Sequence, residues 1–113
     1  MHELSIAQNI IDIIKDNVQE EKLPDVCSVK IELGDVSGIV ADSLLFCFEI
    51  IKPGNSLRNA ELRIKKIPFV LFCNKCKIET TNTFGIRMCD ACKEFDTKIV
   101  SGTEMIITEI ELK

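Results

Sequence analysis

Four of the six cysteines fall in two short repeats, Cys73-Asn74-Lys75-Cys76 and Cys89-Asp90-Ala91-Cys92. A Cys-x-x-Cys turn brings two thiolates close enough to share one ion. Two such turns close a tetrahedron of sulfur, with Zn–S of about 2.3 Å. Sulfur at every position leaves no room for a reactive water, so Cys73, Cys76, Cys89 and Cys92 are expected to hold a structural zinc. A rubredoxin-like iron would suit the same four donors. A redox dithiol needs only one pair and leaves the second unexplained. Cys27 and Cys47 stand alone, on a predicted strand and a predicted helix, and read as inert buried thiols.

The only histidine is His2. The terminal amine of Met1, the amide nitrogen of His2 and its imidazole can chelate one ion through fused rings, a donor set that suits Ni(II) or Cu(II). Glu3 could add a carboxylate oxygen or its own amide nitrogen. The bland alternative is a frayed terminus with an incidental histidine, and a glutamate at the positive end of a helix.

Composition removes several function classes. Fourteen Lys and Arg against 18 Asp and Glu give a net charge of −4, poor electrostatics for a phosphate backbone. The aromatic residues are all Phe, which weakens any base-stacking platform. No apolar run approaches the roughly 20 residues of a membrane span. The first residues lack a basic n-region and carry Glu3 and Asp12. A cytoplasmic chain is expected, where thiols stay reduced and regularly spaced cysteines hold metal. No glycine-rich phosphate loop, nucleophile elbow or metalloprotease motif is present, and no carboxylate pair demands acid–base chemistry.

These candidate sites need elements to hold them. Residues 4–18 repeat apolar groups with helical period at Leu4, Ala7, Ile11, Ile14 and Val18, widened by Ile10 and Ile13, and Ser5 with Gln8 could form a capping box. From residue 26 to 33 the period becomes two, with Val29, Ile31 and Leu33 on one face. Gly34-Asp35-Val36-Ser37-Gly38 is a loop. Asp42 is placed as the N-cap of a second helix through Ile51, with Leu44, Leu45, Phe48 and Ile51 inward. Residues 60–65 alternate again, and 104–112 give a third strand with Ile106, Ile110 and Leu112 on one face.

The expected fold is α+β, a three-stranded antiparallel sheet packed by two helices, with an inserted four-cysteine, zinc-ribbon-like domain. Residues 1–68 plus 101–113 would form the α+β domain and 69–100 the zinc-binding domain, with Ile67-Pro68 and Ser101-Gly102-Thr103 as necks. Segments below roughly 40 residues usually need a metal or crosslink to fold, so the insert should depend on its ion.

In order along the chain, Met1-His2-Glu3-Leu4-Ser5-Ile6-Ala7, Ile31-Glu32-Leu33-Gly34-Asp35-Val36-Ser37-Gly38, Phe48-Glu49, the double Cys-x-x-Cys and Val100-Ser101-Gly102-Thr103-Glu104-Met105 resemble the HypA/HybF hydrogenase-maturation nickel metallochaperones. The resemblance implies a nickel carrier and not an enzyme. It implies Ni(II) as transient cargo, with His2 as principal ligand beside the Met1 amine and Glu3, and Zn(II) in the four-cysteine cage. It implies delivery to the large subunit of nickel–iron hydrogenase with a nickel-handling GTPase as partner. In some members nickel also reaches urease and its maturation proteins. Neither nucleic acid nor membrane would be a partner, and the chain would be a monomer or weak homodimer. Two positions depart from the pattern. Relatives often place an acidic residue after Ser-Gly where this chain has Val40, leaving Asp35 and Asp42 as the nearest carboxylates. The second knuckle, Cys89-Asp90-Ala91-Cys92-Lys93, lacks the usual Pro and Gly.

A zinc-ribbon adaptor that binds protein or nucleic acid is the competing function class. Four thiolates around Zn²⁺ leave about two negative charges, which disfavours phosphate further.

Overall fold

The computed structural model describes residues 3–82 and 85–113. Helix α1 spans Glu3–Asn17 and buries Ile6, Ala7, Ile10, Ile11 and Ile14. Ala7, Ile10, Ile11 and Ile14 are buried as expected, but Leu4 and Ile13 are 52% and 39% exposed and Ile6 is buried instead. Apolar residues crowd both sides of the cylinder here, so packing chooses the phase, and the spacing 6, 7, 10, 11, 14 is the one buried. Ser5 lies inside the helix and caps nothing; Gln8 donates to Asp12 instead, at 3.0 Å. The helix stops at Asn17, whose side-chain amide donates to the Ile13 carbonyl at 2.7 Å. A 3₁₀ turn, Glu20–Asp25, carries the chain to strand β1, Val26–Gly34.

Val29, Ile31 and Leu33 are buried, as their alternation requires. Helix α2 spans Ala41–Ile51 and buries Leu44 and Phe48, while Leu45 and Ile51 are half-buried. Its N-cap is Val40, with no side-chain cap; Asp42, expected in that role, falls in the first turn. A one-turn 3₁₀ segment, Pro53–Asn55, ends on left-handed Ser56 and precedes strand β2, Glu61–Ile67. The cysteine segment contributes β3 (Val70–Cys73), β4 (Glu79–Thr81) and β5 (Thr97–Ser101), and β6 (Met105–Leu112) closes the chain.

Two three-stranded sheets result, ordered β2-β1-β6 and β4-β3-β5. The α+β class, the three-stranded platform sheet and the two helices are those expected. In the first sheet, Lys113 N–H donates to Asp25 O and Gly34 N–H to Glu104 O, so β1 and β6 run antiparallel. Asp35 N–H donates to Ile67 O, which sets the carboxyl ends of β1 and β2 side by side. That pairing is parallel, as a crossover through a helix allows. The sheet is mixed and not antiparallel throughout. On β6, Ile110 is half-buried, but Ile106 and Leu112 are 49% and 39% exposed.

The second sheet is antiparallel, with Leu71 opposite Thr80 on one side and Ile99 on the other. The chain divides into two compact units. One takes residues up to Glu32 with Ile39–Lys65 and Ile106–Lys113; the other takes Leu33–Gly38 with Lys66–Met105. Within the second unit Gly34 and Gly102 are required by close approach. A Cβ on Gly34 would meet the Gly102 carbonyl oxygen at 2.1 Å, and one on Gly102 (φ +107°) would meet Phe69 Cα at 2.4 Å. The Glu104 carboxylate holds this crossing by accepting from the amides of Gly102 and Thr103.

Candidate metal centre

The two cysteine pairs come from separate turns, and each turn is built the same way. In the first, Cys73 N–H donates to Ile78 O and Lys77 N–H to Cys73 O; in the second, Cys89 N–H donates to Glu94 O and Lys93 N–H to Cys89 O. Both close on a left-handed lysine, Lys77 and Lys93, each at φ 61°. Glycine is the low-strain residue at such a position, and the second knuckle does without it. Backbone and side chain of Asn74 both bond to Asp96, at 3.0 Å each, and tie the first turn to the strand after the second. Thr97 Oγ1 donates to Arg87 O at 2.7 Å, while Arg87 donates back to Thr97 O at 2.8 Å.

These turns deliver the four Sγ atoms of Cys73, Cys76, Cys89 and Cys92 to within 4.8 Å of one another. A tetrahedral zinc with bonds of about 2.3 Å requires sulfurs about 3.8 Å apart; Cys73 and Cys92 stand at 3.7 Å. The donor set therefore fits one four-coordinate ion with a closed shell. Cys73 and Cys89 are buried, and Cys76 and Cys92 half-buried.

Crowding splits their acidities. The backbone amide of Cys92 pulls the Cys89 thiol down to about 7, with Ala91 N–H adding to it against burial. Hydrogen bonding to the Cys92 sulfur pushes Cys76 up to about 12, with burial next. Sulfurs this close cannot all ionise alone, and a divalent cation is what lets them.

Cys27 and Cys47 stand outside this cage. Both are half-buried where full burial was expected, and the Cys27 thiol donates to the Glu111 carbonyl at 3.4 Å. The expected nickel donors Met1 and His2 lie outside the described residues. Glu3 is the first residue of α1, and its Oε2 accepts the Val40 amide at 3.2 Å. Asp35 and Asp42 are both exposed, one after β1 and the other in the first turn of α2. Reasoning from sequence missed the Val40 amide and the left-handed lysines. The lysines had a signal, since each cysteine pair is followed directly by Lys; a backbone amide has none.

Among the described residues no helix is long and apolar enough to cross a membrane. A family model described as hydrogenase/urease nickel incorporation, metallochaperone, hypA, matches residues 1–112. A protein of Desulfatibacillum aliphaticivorans named Hydrogenase maturation factor HypA is 38% identical over 113 residues, 99% of this chain and 87% of its own. Relatives of the same name from Chloroflexus aurantiacus and Geotalea uraniireducens are 38% and 34% identical, covering 98% and 100% of this chain and the same shares of their own. Two solved structures share the fold. The solution structure of a HypA protein gives a TM-score of 0.71 at 21% identity, covering all of this chain and 97% of that one. The solution structure of the Ni metallochaperone HypA from Helicobacter pylori gives 0.69 at 21%, covering 99% and 97%. With the cage geometry and a match that runs from end to end, the chain belongs to the HypA family of hydrogenase and urease nickel-incorporation metallochaperones.

Proposed function

We propose that this chain is a cytoplasmic carrier that binds Ni(II) at its amino terminus and hands it to the maturation of nickel–iron hydrogenase, with zinc held separately in the cysteine cage. The observation that carries this is the family match over residues 1–112, which takes in both His2 and all four cage cysteines. The Met1 amine and the His2 imidazole supply nitrogen donors, with Glu3 beside them. Residues 1–68 plus 101–113 form the nickel-binding domain and 69–100 the zinc-binding domain. The partners are a nickel-handling GTPase and the hydrogenase large subunit, and urease maturation is the second candidate destination. The chain moves metal and catalyses no reaction.

Chemistry supports two separate sites. Four thiolates select the softer, tetrahedral ion, whereas amine and imidazole nitrogens suit Ni(II). The cage would hold its zinc through Cys73, Cys76, Cys89 and Cys92, and that ion supplies folding free energy to a segment with little core. A cargo site must also release its ion, and a terminus presents fewer obstacles to ligand exchange than a closed cage.

Calorimetry on untagged protein tests this. One nickel per chain is expected, lost in His2→Ala, with zinc unchanged at one per chain. Affinity should fall as pH drops through about 6.5, where an unperturbed imidazole protonates. Nickel retained in His2→Ala, or affinity flat between pH 5.5 and 7.5, would place the cargo elsewhere.

A further inference from the structure

We propose that the Glu3 carboxylate is a positioning group, pinning the first turn of α1 to the leading end of α2, and does not itself ligate nickel. The proposal rests on the reading that nickel binds at Met1 and His2. Helix α2 begins badly capped. Val40 has an extended backbone (φ −86°, ψ 115°) and an aliphatic side chain that makes no cap hydrogen bond. In a capping box, an acidic or amide side chain three residues into the helix reaches back to the N-cap amide. That position here is Ser43, which is too short for the reach-back. Glu3 Oε2 supplies it from another helix, 37 residues away, at 3.2 Å.

Neither acidic residue near this end replaces it. Asp42 lies in the first turn of α2 without capping it, and Asp35 is exposed after β1. The leading end of a helix favours an anion, so the Glu3 carboxylate is better placed on that amide than in water. α1 and α2 pack against each other, and the Glu3–Val40 bond ties the first turn of one to the leading end of the other. Glu3 is bonded directly to His2, so whatever holds Glu3 sets where the nitrogen donors start.

The experiment compares Glu3→Ala, Glu3→Gln, Val40→Pro and the Glu3→Ala/Val40→Pro double variant in full-length, untagged protein. Proline removes the Val40 N–H and holds φ at about −65°, roughly 20° from the −86° of Val40, while the Val40 carbonyl keeps accepting Leu44 N–H at 3.0 Å. Glutamine still accepts the amide hydrogen bond but brings no negative oxygen to nickel. Nickel affinity should fall on the order of fivefold in Glu3→Ala and in Val40→Pro, with no further loss in the double variant, as for a lost cap. Glu3→Gln should stay within about twofold. Val40 amide exchange should be slow in the wild type and in Glu3→Gln, and fast in Glu3→Ala.

The opposite pattern, Glu3→Gln as weak as Glu3→Ala with Val40→Pro like wild type, makes Glu3 a ligand and overturns the proposal. So does Val40 exchange that ignores Glu3→Ala, including the case in which Val40→Pro fails to fold. If instead His2→Ala keeps its nickel, the terminal site falls while amide exchange at Val40 still judges the pin.

Discussion

The two compact units reach stability by different chemistry. The first buries Ile10, Ile11, Ile14, Val26, Val29, Ile31, Leu44, Phe48 and Leu57 at 1% exposure or less. Its helices and sheet make a hydrocarbon core that needs no ligand. In the second, the buried apolar residues among those described are Leu33, Phe69, Leu71, Cys73 and Cys89, and two of those five are cage sulfurs. A metal replaces what a core would supply. For the carrier proposed above, that division leaves the first unit folded whatever happens to the ion in the cage.

Removing zinc is the strongest way to break the comparison. Zinc modules gain roughly 10–16 kcal/mol from their ion near neutral pH, more than the few buried side chains of the second unit replace. With a strong chelator, amide protection should vanish across residues 70–98 and persist in α1 and β1. Uniform protection after metal removal would mean the second unit has a core of its own. The converse variant, Phe48→Ala, should cost about 3–5 kcal/mol and melt the first unit, with zinc content at first unchanged.

The next effect is steric and falls on the glycine crossing. Gly34→Ala puts a methyl group 2.1 Å from a backbone oxygen, and Gly102→Ala puts one 2.4 Å from Phe69 Cα at a φ that alanine resists. Each should lower stability by at least about 3 kcal/mol, read as a drop of about 10 °C or more in melting temperature. Gly54→Ala is the control, since nothing lies within 4 Å of its added methyl. Equal melting temperatures for Gly34→Ala and Gly54→Ala would show that the crossing is loose.

How far these features can be read from sequence follows from their range. The cage was legible because ligand spacing is local: two turns of fixed length need only meet once. β1 was legible from its alternation, and α2 from its apolar stripe. The centre of the α1 stripe, Ala7, Ile10, Ile11 and Ile14, was legible too. That Ile6 and not Leu4 or Ile13 completes it was not, because apolar residues lie on both sides of that stripe and packing chooses between them. Strand direction in the first sheet was hidden for a similar reason. Alternation reports faces, not the neighbour's direction, although a helix between β1 and β2 hinted at a parallel crossover. The short strands β3, β4 and β5 carry three to five residues each, too few to show a period. The Glu3–Val40 bond joins a side chain to a backbone amide across tertiary space, and no residue type announces it.

A smaller effect tests the knuckles. Lys77 and Lys93 hold the left-handed conformation at φ 61°, at roughly 1–2 kcal/mol each for a residue with a Cβ. Lys77→Gly with Lys93→Gly should make the cage harder to strip, seen as slower zinc loss to a chromogenic chelator. Faster loss would mean that the lysine side chains matter to the cage more than backbone strain does. Such a result would weaken the contrast between a unit held by packing and one held by its ion.

The smallest expected effect belongs to the first unit and to pH. Lys30 on β1 bridges Glu109 and Glu111 on β6 at 3.1 and 3.2 Å, with all three side chains 40–50% exposed. Hydrogen bonding to Lys30, then its charge, holds the Glu111 carboxyl below its usual range, and the same partners raise Lys30. A depressed carboxylate stabilises the fold above its unfolded pKa of about 4.3 and loses that contribution as pH falls through its folded value. A raised lysine contributes at every pH below about 10.4. Between pH 7 and the acid limit Lys30 stays charged, so the pH dependence of the bridge comes from its carboxylate side. Exposed pairs are worth little, so Lys30→Met should shift the melting temperature of zinc-loaded protein slightly at pH 7, and the shift should shrink towards pH 3. Because metal binding also depends on thiolate, the unit that carries the cysteine cage should lose protection earlier in the same acid titration. If β1 and β6 open before residues 70–98 do, the hydrocarbon unit is the weaker of the two in acid.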